Sequence, residues 1–376
     1  MSICSMKSLL VDSFSGEWGT ETGEVLTPVL RTANFNEDGS FDYSSPAYRC
    51  ISEKKVQAKR MRRGDIVLEK SGGTPNRPVG IMAYYDSDDE ALCSNFNHVL
   101  RFDADSVNSF FMFHQLRWLR ERGAFAPYTR KTTGLQNLQM KAFVDLELTV
   151  PPRVEQDGVA AAIRAIDSER NELKTLLERL DELVKSRFIE MFGDQKTNSL
   201  ELPTVKLGDT AFVGSSKRVF KDELVEEGIP FYRGTEVGAL AFGNSINPEL
   251  FITQQHYEEL VGHTGKPEIG DLLMPSICPD GQIWLVDTDA PFYFKDGRVL
   301  WVRPDRSVFD STYLQYAMRN RFIADFESFA SGTTFAELKI FILKNLVVAL
   351  PPLALQQEFA AFVQQVDKLK FDYQNN

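Results

Sequence analysis

The chain has 376 residues, 43% of them apolar and 11% aromatic, which is material for two domains with cores of their own and excludes disordered bulk. A net charge of -11 excludes a polybasic tail, so any basic face must be local. Cys4, Cys50, Cys93 and Cys278 lie too far apart for paired metal-ligand spacing or a dense disulfide framework, which points to a reducing cytoplasm, and no long apolar run or signal-peptide pattern suggests a membrane or a secreted protein.

In chain order, residues 1–150 form a first lobe with strand-like runs IVLEK, NHVLRF and FVDLELTV and a helical piece at 106–121. Residues 151–196 are a spacer: from Val154 to Phe192 there is no proline and dense Leu, Glu, Lys, Arg and Ala, which predicts one long helix of roughly 50 to 55 Å. Its stripe of Ile166, Leu173, Leu177, Leu180 and Val184 is narrow and asks for a partner helix. Residues 197–350 form a second lobe with runs DLLMPS, RVLWVRP and KNLVVAL and a helical piece at 311–327. Residues 351–376 give a short second helix, carrying Phe359, Phe362 and Val366 toward the pairing face. Net charge over these four segments is -1, -2, -7 and -1, so acidity concentrates in the second lobe.

The chain repeats itself at an offset of 200. PPRVEQDGVAAAIRAID from Pro151 and PPLALQQEFAAFVQQVD from Pro351 share Pro, Pro, Gln, Ala, Ala and Asp without a gap. Upstream, Arg63-Gly64-Asp65-Ile66 parallels Ile269-Gly270-Asp271-Leu272, and His98 to Phe102 is matched with Arg298 to Val302. Gly134-Leu135-Gln136-Asn137-Leu138 parallels Gly332 to Leu338. The fold class expected is mixed α+β: two similar lobes separated by long helices that pair antiparallel.

No catalytic constellation is present in the sequence. His98, His114, His256 and His263 lack metal-ligand spacing. Gly262-His263-Thr264-Gly265-Lys266-Pro267 lacks the full phosphate-loop frame, with Pro where Ser or Thr must bind magnesium. The Pro151-Pro152 and Pro351-Pro352 pairs lack the polar residue before them and the aromatic after them that amino-methyltransferases use, so they read as helix entries. What remains suits a polyanion. Arg49 to Arg63 holds seven basic residues against one acidic, including Arg60, Arg62 and Arg63. Lys70, Ser71, Thr74 and Arg77 lie on a Gly-rich segment, and Arg130, Lys131 and Thr132 form a second basic and hydroxyl cluster. Second-lobe counterparts are sparser: Lys217, Arg218, Arg233, Arg319 and Arg321, with the Ser331, Thr333 and Thr334 loop. A protein-only coiled-coil adaptor is the competing reading of the same features.

Taken together, ELTVPPRVEQ, VVALPPLALQQ, the helix ending LDELVKSRFIEMFGD, the R/IGD strands and the duplicated order resemble the specificity subunit of type I restriction-modification enzymes. That resemblance implies target-recognition domains at 1–150 and 197–350, each reading half of a split double-stranded DNA sequence. It also implies that the helices dock two modification subunits, that restriction subunits join them, and that the chain itself is noncatalytic. S-adenosylmethionine and adenine N6 methylation would belong to the modification partners, in a bacterial or archaeal cytoplasm. Reading heads about one helical turn apart, roughly 34 Å, are within reach of the spacer. The sequence departs from the family pattern in two places: only 24 residues follow Pro352, and the first lobe opens without a recognisable counterpart of Val205-Lys206-Leu207-Gly208-Asp209, so an altered first strand is expected.

Overall fold

The computed structural model describes residues 2–23, 25–74, 77–131, 135–329 and 336–375. The chain packs as two units, Met1–Asn171 and Glu172–Asn376, and the boundary falls inside one 40-residue helix, Arg153–Phe192. At 1.5 Å per residue that helix is about 60 Å long.

In the first unit, strand Ile66–Glu69 lies in an antiparallel sheet between Asn97–Phe102 and Met82–Tyr84, with Leu10–Ser15 beyond Asn97–Phe102. All four residues of the IVLE run are buried because both sheet faces are covered. Ile66 and Leu68 enter a core with Met112, Phe113 and Leu116 of helix Ser109–Glu121, while Val67 enters a second core with Tyr85 and Val99. A smaller sheet sets Leu26–Leu30 antiparallel to Ala47–Cys50 and parallel to Leu92–Cys93.

The second unit repeats the plan. Leu272–Pro275 lies between Val299–Pro304 and Trp284–Leu285, with Ala211–Gly214 beyond Val299–Pro304. Leu272 and Met274 face a core with Tyr313 and Met318 of helix Ser311–Phe329, and Leu273 faces another with Trp301. Ile229–Tyr232 pairs antiparallel with Phe251–Ile252 and parallel with Tyr293–Phe294.

The R/IGD motif has a physical cause in both units. Gly64 at φ +95° and Gly270 at φ +92° turn the chain into the strand, a conformation that disfavours a side chain. The next residue, Asp65 or Asp271, is fully buried and caps that turn, accepting from the Arg62 amide at 2.7 Å or the Glu268 amide at 2.9 Å. The same carboxylates hold Arg101 at 2.7 and 2.8 Å and Arg303 at 2.9 to 3.2 Å. Each guanidinium also donates to a carbonyl upstream of the turn, Arg60 at 3.0 Å or Lys266 at 2.7 Å.

This clamp corrects the repeat alignment. Ile66 pairs with Leu100 and Leu272 with Val302, so residues 98–102 correspond to 300–304, two residues later than the uniform offset predicts. A slip of two preserves the in-and-out pattern of a strand, so apolar patterning does not reveal it. The first lobe also has the opening strand thought to be altered. Ser2–Ser5 pairs with Glu147–Val150 and the amide of buried Met6 donates to Leu146 O; Thr204–Lys206 pairs with Val347–Ala349 and the amide of buried Leu207 donates to Leu346 O. The runs FVDLELTV and KNLVVAL are strand only at Glu147–Val150 and Val347–Ala349, since Met140–Phe143 and Ile340–Lys344 form helical turns that bury Phe143 and Leu343.

Both proline pairs open helices, and one glutamine fastens each. Buried Gln156 accepts from the Asn108 amide at 2.9 Å and donates to Pro151 O at 2.8 Å; buried Gln356 accepts from the Asp310 amide at 2.9 Å and donates to Pro351 O at 2.8 Å. In the second unit the last helix, Leu353–Asn375, runs antiparallel to residues 172–192. Val184, Phe188 and Phe192 share a core with Phe359, Val363 and Val366, with Leu180 and Phe362 half-buried beside them. Ion pairs Arg187–Glu358 and Asp181–Lys370 fix that direction. Leu173 and Leu177 are half-buried, whereas Ile166 is 63% exposed and falls outside the stripe expected of it. In its unit the helix turns another face inward, with Gln156 and Ala160 buried and Arg164 over the Phe110 ring at 4.1 Å.

Candidate nucleic-acid interface

In the first unit the segment leaving Ile66–Glu69 forms a short strand, Ser71–Gly73, that pairs with Gln136–Leu138, which in turn pairs with Thr129–Lys131. Register sets Ser71, Asn137 and Arg130 in one row, and Gly73, Gln136 and Lys131 in another. Arg130 and Lys131 are exposed. The segment is anchored where it leaves the sheet: the Leu138 amide donates to Lys70 O at 2.8 Å, and Lys70 Nζ donates to Ser15 Oγ at 2.7 Å. Burial pushes the Lys70 ammonium below its ordinary range. The Arg77 amide donates to Thr74 Oγ1 at 3.1 Å, and its guanidinium reaches the buried Glu69 carboxylate at 2.7 Å. Burial raises the Glu69 carboxyl above its usual range while Arg77 opposes the rise. Cationic, hydroxyl and amide groups held this way can meet phosphates and base edges together. Thr132 lies outside the described residues.

Arg60, Arg62 and Arg63 are not brought to this hairpin, because they precede Ile66–Glu69 and the hairpin follows it, at the opposite end of the strand. Arg60 and Arg62 are exposed, and Arg63 is engaged by Asp86 and Asp88.

The second unit has an equivalent segment that charge-based reading missed. Residues 276–282 leave Leu272–Pro275 as residues 70–74 leave Ile66–Glu69, and the Leu338 amide donates to Ser276 O at 2.7 Å, the counterpart of the Leu138 bond. Ser276 Oγ donates to Glu337 at 2.9 Å, and Gln315 Nε2 donates to Ile283 O at 2.8 Å. Gly281, at φ +67°, packs so tightly on Arg319 that a Cβ there would lie 2.5 Å from that side chain. The segment carries no basic residue, so the signal that finds it is its distance from the Gly-Asp turn. Of the residues predicted from sequence, Lys217 is exposed, Arg218 pairs with Asp296 at 3.2 Å, and Arg233 pairs with Glu236 at 2.6 Å. Arg319 lies 5.8 Å from the Phe242 ring and Arg321 donates to Lys196 O at 3.2 Å. Ser331, Thr333 and Thr334 lie outside the described residues.

Residues 262–267, which superficially suggest a phosphate loop, form the end of helix Gln254–Thr264, with Gly265 as its cap. Anion cradles of that kind lie at helix beginnings, so the geometry is wrong for a triphosphate. Among the described residues no group of three or more His, Cys, Asp or Glu could hold a metal ion, and no helix is long and apolar enough to cross a membrane.

Residues 201–376 match the family model for the type I restriction modification DNA specificity domain. The specificity subunit of type I restriction enzyme MjaVIII from Methanocaldococcus jannaschii is 23% identical over 289 residues, 70% of this chain; the chain spans 64% of that relative's length. In fold, the chain is similar to the type I restriction-modification system S subunit from M. genitalium, with a TM-score of 0.58 and 16% identity over 99% of this chain and 91% of the other. A second similar chain comes from a structural study of complex assembly and conformational transition in the type I R-M system, with a TM-score of 0.54 and 17% identity over 99% of this chain and 92% of the other. The resemblance to type I specificity subunits is thereby borne out, and residues 201–376 carry the match to that family's DNA specificity domain.

Proposed function

We propose that this chain is the noncatalytic, DNA-reading subunit of a type I restriction-modification complex. Each unit contacts one half of a split duplex sequence, the first through residues 70–74, Arg77 and Arg130–Lys131, the second through residues 276–282. The observation that carries this reading is the duplicated segment: in both units it follows the same clamped strand and is anchored by the same backbone hydrogen bond. A rigid frame with a loop segment at one edge is how a scaffold presents sequence-reading side chains.

Two modification subunits dock on the helices, bind S-adenosylmethionine and methylate adenine N6, and restriction subunits cleave. An adenine must leave the base stack to be methylated, so a partner that holds the duplex in register does necessary work. The setting is a bacterial or archaeal cytoplasm.

The test is selection from a randomised duplex library by the full chain with its modification subunit. The expected result is a bipartite sequence, with binding that weakens steeply as salt rises. Charge reversal at Arg130 and Lys131 should shrink that salt dependence by about one to two units of log-log slope. Binding of the modification subunit with no DNA selection would leave the adaptor reading in its place.

A further inference from the structure

In each unit the segment that follows the clamped strand is held on a second side by a turn, and the two turns differ in chemistry. The turns begin alike, with the Ser94 amide on Leu30 O at 2.8 Å and the Lys295 amide on Tyr232 O at 2.9 Å. They also end alike: Phe96 O accepts from the Lys70 amide at 3.0 Å, and Arg298 O from the Ser276 amide at 2.9 Å. Ser94 therefore corresponds to Lys295, and Phe96 to Arg298. The first unit's turn, Ser94-Asn95-Phe96-Asn97, carries no charge, and its exposed cations Arg130 and Lys131 stand on the hairpin instead. The second unit puts two exposed cations, Lys295 and Arg298, on the turn itself.

Both cations line a cavity of about 640 Å³, which Ser276 and Ile277 of the segment also line. Among the described residues its lining has three cations, Arg233 being the third, and no carboxylate, in a lobe whose net charge is -7. Arg233 is matched by Glu236 and Glu249. Arg298 shares Glu337 with Lys339 and stays 59% exposed, and Lys295 makes no ion pair among the described residues. The intervening Asp296 is taken by Arg218 at 3.2 Å. The backbone beneath the pair is fixed: Gly297, at φ +64°, makes the bend, and its amide donates at 2.9 Å to Ser215 Oγ, which donates to Val299 O at 2.6 Å. Cations held on a concave, carboxylate-free wall reverse the lobe's average potential locally and attract a polyanion. A phosphate seated there would lie beside the segment and set the duplex in register against it.

Resting on the reading given under Proposed function, we infer that Lys295 and Arg298 seat the sugar-phosphate backbone of the second half-site, supplying the anchorage that residues 276–282 have no cation to give. The test uses the full chain with its modification subunit and the duplex sequence it selects. Lys295→Ala, which removes no ion pair, should lower the log-log salt slope of binding by about one unit, and Lys295→Ala with Arg298→Ala by about two. Affinity should weaken evenly over all sequences, with the melting temperature unchanged. Neutral methylphosphonates placed one at a time along the duplex should include a position in one half-site that weakens the unmodified chain and no longer weakens the double variant. An unchanged slope in both variants, or a double variant as sensitive as the unmodified chain at every position, overturns the inference. Inorganic phosphate bound by the unmodified chain and lost in the variants, with the slope unchanged, would make the cavity a small-anion site and overturns it as well. Failure of the unmodified chain to select any sequence instead removes the reading beneath it.

Discussion

The two units hold the segments that follow their clamped strands differently. In the first, a buried carboxylate, Glu69, sits at the end of the strand and takes the Arg77 guanidinium at 2.7 Å. In the second the equivalent position is Pro275, and the segment is fastened from outside the sheet by Glu337, which accepts from Ser276 and Arg298. One frame therefore carries a charged latch inside its sheet and the other carries it on the surface. The frame is what repeats; the fastening of the segment that follows it differs between the units.

The largest effect expected from breaking this comparison is at the clamp. Asp271→Ala takes the buried partner from Arg303, leaving it Glu268 at 3.4 Å, and also removes the acceptor of the Trp301 indole at 2.9 Å, so it should cost about 5 kcal/mol; Asp65→Ala takes the buried partner from Arg101, leaving it Asp12 at 3.9 Å, and should cost about 3 kcal/mol. Denaturant unfolding of the two variants checks the order. Next, Phe359→Ala empties a fully buried site in the helix pair and should cost about 4 kcal/mol, with hydrogen exchange rising in the second unit and not the first.

Acid should separate the units. Burial, helped by Lys70, lowers His98 to about 4, so the folded first unit keeps the ring neutral while the unfolded chain protonates near 6.5. Its stability is full above pH 6.5 and is lost as pH falls toward 4, by up to about 3 kcal/mol. Burial lowers His114 in the same unit and acts in the same direction. The second unit has Leu300 where the first has His98. Hydrogen exchange at pH 7 and pH 5 should show the first unit loosening, and His98→Gln should remove most of the difference. Smaller still, Gln156→Ala and Gln356→Ala should each cost about 1–3 kcal/mol, Gln356 the more because it also donates to Val308 O at 3.1 Å. Lys370→Ala should cost less than about 1 kcal/mol by thermal melting, since its partner Asp181 is exposed.

How much of this was legible depended on whether identity or only geometry repeats. Pro151, Gln156 and Asp167 have the same residues 200 positions later, so the helix entries and the duplicated order could be read directly. Cys4-Ser5-Met6-Lys7 and Val205-Lys206-Leu207-Gly208 share little beyond an apolar residue facing the core at Met6 and Leu207, so the first lobe's opening could not. The two-residue slip before Arg303 was invisible because strands repeat every two residues. Residues 276–282 contain no cation, so basic clustering does not mark them.

The bonds from Leu138 to Lys70 and from Leu338 to Ser276 join main chain to main chain. Peptide groups are common to nearly every residue, so these two anchors survive a change of side chain, unlike the Arg77–Glu69 and Ser276–Glu337 contacts beside them. Substitution within either segment therefore leaves its attachment to the sheet in place wherever the backbone path is kept.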